Sequence, residues 1–139
     1  NLVPDGEPCY CGQRGCMDPY CSLDVLLKNG EQPEAFFRDL HAGDQDCRLR
    51  FDLWLDYVAL SISSIRSLLA VDIIVGGTAA RFFDDDDFAQ LKRLIIRHSA
   101  LPSATFTLRA SASLRDQDAI GGALRFIQPF LDSVFLEGA

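Results

Sequence analysis

Val71-Asp72-Ile73-Ile74-Val75-Gly76-Gly77-Thr78 is the stretch that decides the fold. Its apolar residues are β-branched, the run is too short for a buried helix, and it ends on two glycines. That combination predicts a buried strand running into a glycine turn. Before it, Phe51, Trp54, Leu55, Val58, Ile62, Ile65 and Leu69 recur at steps of three and four, the period of a long helix central to the core. Leu53, Tyr57, Leu60 and Leu68 widen that apolar face, so cover on more than one side is expected.

After the glycines, Asp84 to Asp87 are suited to cap and charge the start of a helix that buries Phe88, Leu91, Leu94 and Ile95 and ends before Pro102. Four aspartates in a row invite a metal reading. Consecutive carboxylates mostly point apart, however, and a solvated helix start accounts for them. Thr105 to Ala110 alternates as a strand with one buried face. A last helix is expected from about Asp116 to Asp118, with Ile120, Ala123, Leu124, Ile127, Leu131 and Val134 on one side and Pro129 kinking or shortening it. Helix, strand, helix, strand, helix is the order of an α/β layer with parallel strands.

Upstream of this core the chain is less periodic. Pro19 suits the first turn of a short helix over Tyr20 to Leu27, ended near Asn29 and Gly30, and a second short helix runs from about Pro33 to His41 and closes at Gly43. The first eighteen residues are rich in Gly, Pro and Cys, so this loop needs something other than a core to fix it.

With 139 residues, 48% hydrophobic and 24% charged, the chain is sized and composed as one globular domain or one lobe of a larger protein. Its net charge is −7 and its thirteen basic residues are scattered, which argues against direct contact with nucleic acid. No apolar run is long enough for a membrane span and the start has no signal-peptide pattern, so a cytoplasmic protein without membrane contact is expected. The chain lacks an initiator methionine and is expected to be a fragment.

Three of the five cysteines, Cys9, Cys11 and Cys16, fall within eight residues. Thiolate sulfur is a good zinc ligand, and structural zinc commonly takes three Cys and one His. Gly12 and Gly15 allow the tight turns that convergence of three sulfurs requires. Free thiols, a redox pair and a disulfide loop stay open beside zinc, although a redox pair is more naturally spaced C-x-x-C than C-x-C. The chain's two histidines, His41 and His98, have no local ligand spacing.

The run "CYCGQRGCMDPYCS" resembles the C-x-C-G-x-x-G-C-x-E signature of the ROK family of repressors, open reading frames and sugar kinases. "VDIIVGGT" resembles that family's strand and diglycine turn, and "DQDAIGGALRFI" its closing helix. The resemblance implies an actin-like, ribonuclease H-like fold, with residues 1–139 forming most of a C-terminal lobe. Residues 1–22 would be its zinc-binding loop and 44–139 its α/β core, and the N-terminal lobe would lie outside the chain. It further implies that Cys9, Cys11 and Cys16 bind structural zinc, with a histidine ligand located before Asn1.

The family's sugar-contacting glutamate corresponds to Asp18, one methylene shorter, for which a plain position near a helix start is the competing reading. Gly76 and Gly77 correspond to the pair that approaches nucleotide phosphates, with Thr78 where kinases often carry a third glycine. These departures favour the effector-binding and oligomerising part of a sugar-responsive transcriptional regulator, a homo-oligomer that reaches DNA only through an absent N-terminal domain. The alternative is the C-terminal lobe of an ATP- and Mg²⁺-dependent sugar kinase, and a zinc-stabilised interaction module without ligand is the third reading. The chain by itself is expected to be inactive under any of them.

Overall fold

The computed structural model describes residues 1–28, 30–100, 105–112 and 117–136. An irregular segment leads into α1 (Asp18–Cys21), α2 (Leu23–Leu26), α3 (Pro33–His41) and α4 (Gln45–Arg66). There follow β1 (Ile73–Val75), α5 (Gly77–Ala80), α6 (Asp85–His98), β2 (Leu108–Ala110) and α7 (Gln117–Leu136). β1 and β2 pair in parallel, Ile73 opposite Leu108 and Val75 opposite Ala110, with α5 and α6 in the connection between them. Parallel pairing needs such a crossover, so the α/β layer expected from the sequence is present.

The core lies between α3, α4 and α6. Phe51, Trp54, Leu55 and Ala59 of α4 are buried against Phe36, Phe37 and Leu40 of α3 and Leu91 and Ile95 of α6. Phe37 is its aromatic centre: its ring stacks on Phe82 at 5.1 Å and meets Phe36, Phe51 and Phe83 at 5.2, 5.9 and 6.0 Å. Local chemistry sets the helix starts. Asp44 accepts the Cys47 N–H at the head of α4, and Asp84 and Asp87 bond each other's backbone N–H groups in a capping box at the head of α6. Arg50 ties the segment between α2 and α3 to α4, donating to the Leu26 carbonyl and to Glu31 at 2.9 and 2.8 Å. Its guanidinium holds the Glu31 carboxyl below the usual carboxylate range.

Several expectations need correction. The helix expected over Tyr20 to Leu27 is two single turns separated by Ser22, which is extended (φ −67°, ψ 152°). The Ser22 carbonyl accepts the Trp54 indole N–H at 3.1 Å as well as the Val25 N–H at 3.2 Å. Residue 29 lies outside the described residues. α4 is covered by α3 and α6 and also by α1 and α2, and Tyr57 and Leu60 are half-buried, but Leu53 and Leu68 are 63% and 86% exposed, and Ile65 and Leu69 are exposed as well, so the cover expected over those four is incomplete. β1 is shorter than expected and not fully buried, because Ile74 turns outward while Ile73 and Val75 are half-buried.

β2 is confined to Leu108–Ala110. α7 runs through Pro129 without being shortened, and Ile120, Ala123, Leu124, Ile127 and Leu131 are exposed, so its apolar stripe is not part of this core. Pro102, Asp116 and the Val134 side chain fall outside the described residues. No described helix is long and apolar enough to cross a membrane.

Candidate functional site

The cysteine loop is built by backbone bonds rather than by a core. Leu2 and Val3 donate to the Gly15 carbonyl at 2.6 and 3.1 Å, Gly15 donates to Glu7 at 2.8 Å, and Cys9 donates to Gln13 at 2.8 Å. Gly15 has φ +71°, and a Cβ there would lie 1.7 Å from the Val3 carbonyl oxygen, so both conformation and space demand glycine. Gly12 is also left-handed at φ +85° but faces open space. The loop is fastened to the helices through Tyr20, whose hydroxyl accepts the Glu7 N–H at 2.6 Å and whose ring packs on Tyr57 of α4 at 4.7 Å.

This scaffold gathers the three sulfurs. The Sγ atoms of Cys9, Cys11 and Cys16 all lie within 4.8 Å of one another, and Cys11 and Cys16 are 3.5 Å apart. Tetrahedral zinc with Zn–S bonds of ~2.3 Å separates its sulfurs by ~3.8 Å, so the donor set and its spacing fit such an ion. The thiols interact strongly. The Gln13 backbone, followed by the neighbouring thiols, holds Cys11 below the usual thiol range, whereas hydrogen bonding with Cys11 pushes Cys16 up to about 11. Neither histidine joins the cluster: His41 Nε2 is 2.9 Å from Asp87 and His98 Nε2 is 2.9 Å from Asp56.

Asp18 is the first residue of α1 and lies two positions beyond Cys16. It does not act as a cap; Met17 occupies the N-cap position and no side-chain cap bond forms. The exposed carboxylate is thus held at the edge of the fastened loop, close enough to Cys21 for its charge, after burial, to help push that thiol up to about 11. Asp18 stands at a helix start, as its plain reading expects, without a side-chain cap bond.

Gly76 is extended and Gly77, at φ +85°, opens the single turn α5, with nothing within 4 Å of the place its Cβ would occupy. The turn expected after the strand is thus present, followed at once by helix. Gly76, Gly77 and Thr78 line one wall of an open, mainly apolar cavity of about 370 Å³, and Met17 and Cys21 line it from α1. The cavity continues over Trp54, Val58 and Phe83. Neither Asp18 nor the clustered cysteines line it; Met17, next to Asp18, does, so the cavity joins the glycine turn to the start of α1. The contributions of Met17, Cys21 and Phe83 were not foreseen, because only packing α1 and α5 over α4 brings them together.

The aspartate run forms a helix start, as expected, with one addition. Asp87 is only 2% exposed, and it joins Asp84 against His41, whose Nε2 lies 2.9 and 3.6 Å from their carboxylates. This pairing sets the C-terminal end of α3 against the N-terminal end of α6, whose partial positive charge favours the carboxylates it carries.

Comparison with known proteins places these features in a family. The ROK family model matches residues 1–129. The N-acetyl-D-glucosamine kinase of Pasteurella multocida (strain Pm70) is 31% identical over 132 residues, covering 88% of this chain and 43% of that protein. The crystal structure of the ROK hexokinase from Thermus thermophilus superposes with a TM-score of 0.73 at 21% identity, covering 89% of this chain and 44% of that one. The chain therefore has the actin-like fold of part of that hexokinase and spans less than half the length of either relative. With the family model matching nearly its whole length, the chain belongs to the ROK family.

Proposed function

We propose that the chain is the C-terminal lobe of an ATP-dependent sugar kinase that phosphorylates a hexose or N-acetylhexosamine. The similarity to a named N-acetyl-D-glucosamine kinase over 88% of the chain carries this reading. Cys9, Cys11 and Cys16 would hold one structural zinc ion, which with thiolate ligands in a closed shell supplies rigidity and no activated water. The loop so fixed presents Asp18, whose carboxylate accepts hydrogen bonds from sugar hydroxyls. Gly76, Gly77 and Thr78 face the nucleotide across the cavity, where the exposed backbone of the glycine turn allows close approach. ATP and Mg²⁺ enter with the rest of the protein, which would supply the base that takes the sugar hydroxyl proton.

The shorter acid at Asp18 and Thr78 in place of a third glycine favour a second reading, a sugar-responsive regulator that has kept the sugar site and weakened the nucleotide site. That protein would be a cytoplasmic homo-oligomer contacting DNA through another domain.

Calorimetric titration of the intact protein separates the two. The kinase reading expects binding of a hexose or N-acetylhexosamine and of a non-hydrolysable ATP analogue with Mg²⁺. Asp18→Ala should weaken the sugar by roughly 10- to 100-fold, the worth of a hydrogen bond to a charged group, and leave the nucleotide unchanged. Sugar binding without nucleotide binding would favour the regulator. Absence of both would remove either reading.

A further inference from the structure

We propose that Cys11 and Cys16 form a two-electron oxidation site, in which a hydroperoxide converts the metal-free pair to a disulfide and thereby disables the cysteine loop as a metal site. The two Sγ atoms stand 3.5 Å apart, in van der Waals contact, with Cys11 exposed and Cys16 half-buried. A disulfide needs ~2.05 Å, so the sulfurs must approach by about 1.5 Å. Of the connecting residues, Gly15 is buried and held by backbone bonds, but Gly12, Gln13 and Arg14 are exposed and Gly12 has nothing within 4 Å of its Cβ position, so Cys11 has room to move toward Cys16.

Cys9 is a poorer partner. A Cys9–Cys11 bridge would span one residue and strain the turn made by the Cys9 N–H to Gln13 carbonyl and Gly12 N–H to Cys9 carbonyl bonds. Cys21 faces the apolar cavity and Cys47 is buried at the head of α4, so neither belongs to the cluster.

The chemistry balances in two steps. The Cys11 sulfur attacks the peroxide, its S–O bond forms as the O–O bond breaks, and the other oxygen leaves with the thiol proton, as water from hydrogen peroxide or as the alcohol from an organic hydroperoxide, giving a sulfenic acid. The Cys16 sulfur then attacks that sulfur, the S–S bond forms as the S–O bond breaks, and water leaves with the Cys16 proton. Two thiols lose two electrons in all, and one hydroperoxide is reduced. A disulfide offers no thiolate, so oxidation removes two of the three sulfur donors. The bridge stands on the sulfur geometry alone, whereas its effect on metal rests on the zinc reading above.

The test uses intact protein stripped of metal, treated with one equivalent of hydrogen peroxide and mapped by peptide mass spectrometry. The expected product is a Cys11–Cys16 cross-linked peptide, 2 Da lighter than its reduced form by the two lost hydrogens and restored by dithiothreitol. In Cys16→Ser, Cys11 should be captured by dimedone as the sulfenic acid. A bridge between any other pair, or no bridge, would overturn the proposal, and because the wild-type map decides this, a misfolded variant cannot obscure it. Zinc-loaded protein should bridge at least tenfold more slowly and release zinc as the bridge forms. Zinc bound with no bridge in the stripped protein refutes the oxidation site and leaves the zinc reading standing. A bridge in protein that never takes up zinc does the reverse.

Discussion

Phe37→Ala is expected to lower stability by about 3–5 kcal/mol. Phe37 is 1% exposed and touches four other phenylalanine rings, from α3, α4 and the segment before α6. Removing its ring leaves a cavity walled by large side chains, which cannot close around alanine without shifting α3 toward α4. A domain typically holds only about 5–15 kcal/mol in total, so thermal denaturation should shift downward by roughly 10–20 °C. Chemical denaturation read by Trp54 fluorescence checks the value. A loss below about 1 kcal/mol would mean that this aromatic cluster is not the core.

Gly15→Ala is expected to dismantle the cysteine loop while sparing the core. The new Cβ would meet the Val3 carbonyl oxygen at 1.7 Å, and a left-handed conformation at φ +71° is unfavourable for alanine in any case. Relief requires breaking the Leu2, Val3 and Gly15 backbone bonds that bring the irregular segment of residues 1–7 against the cysteines. The combined penalty of about 3 kcal/mol corresponds to about 100-fold in zinc affinity. Gly12→Ala supplies the contrast: the same left-handed backbone with open space around it should cost ~1 kcal/mol, within tenfold. Elemental analysis and competitive zinc titration of both variants, beside Cys11→Ser as the metal-free reference, check the order. Equal affinities for the two glycine variants would show that the loop does not gather the sulfurs as described.

Much of the core could be read in the sequence because its signals are local. Asp84 to Asp87 announce a helix start, Gly43 an end, and the periodic Phe51, Trp54 and Leu55 or Leu91 and Ile95 a buried face. Long-range contacts were not legible. At the break, the Ser22 carbonyl takes a bond from Trp54, 32 residues away, and the buried Asp87 is met by His41 from α3. The exposure of α7 has another cause: an apolar stripe reports that a helix has a face to cover, not what covers it.

At the site, cysteine and glycine spacing correctly anticipated three converging sulfurs. Glycine at position 15 was read as conformational freedom, whereas the tighter constraint is a backbone from the other side of the loop. The cavity joining the glycine turn to α1 was invisible, since its walls come from elements separated by about 60 residues of chain.

The central claim, that this lobe belongs to a sugar kinase, is tested most directly by following phosphorus. Intact protein is incubated with ATP, Mg²⁺ and the sugar it binds best, and the reaction is monitored by ³¹P NMR. The account predicts a sugar phosphate resonance growing in step with ADP, with Asp18→Ala slowing it at limiting sugar. ATP left intact beside a sugar that demonstrably binds would contradict it.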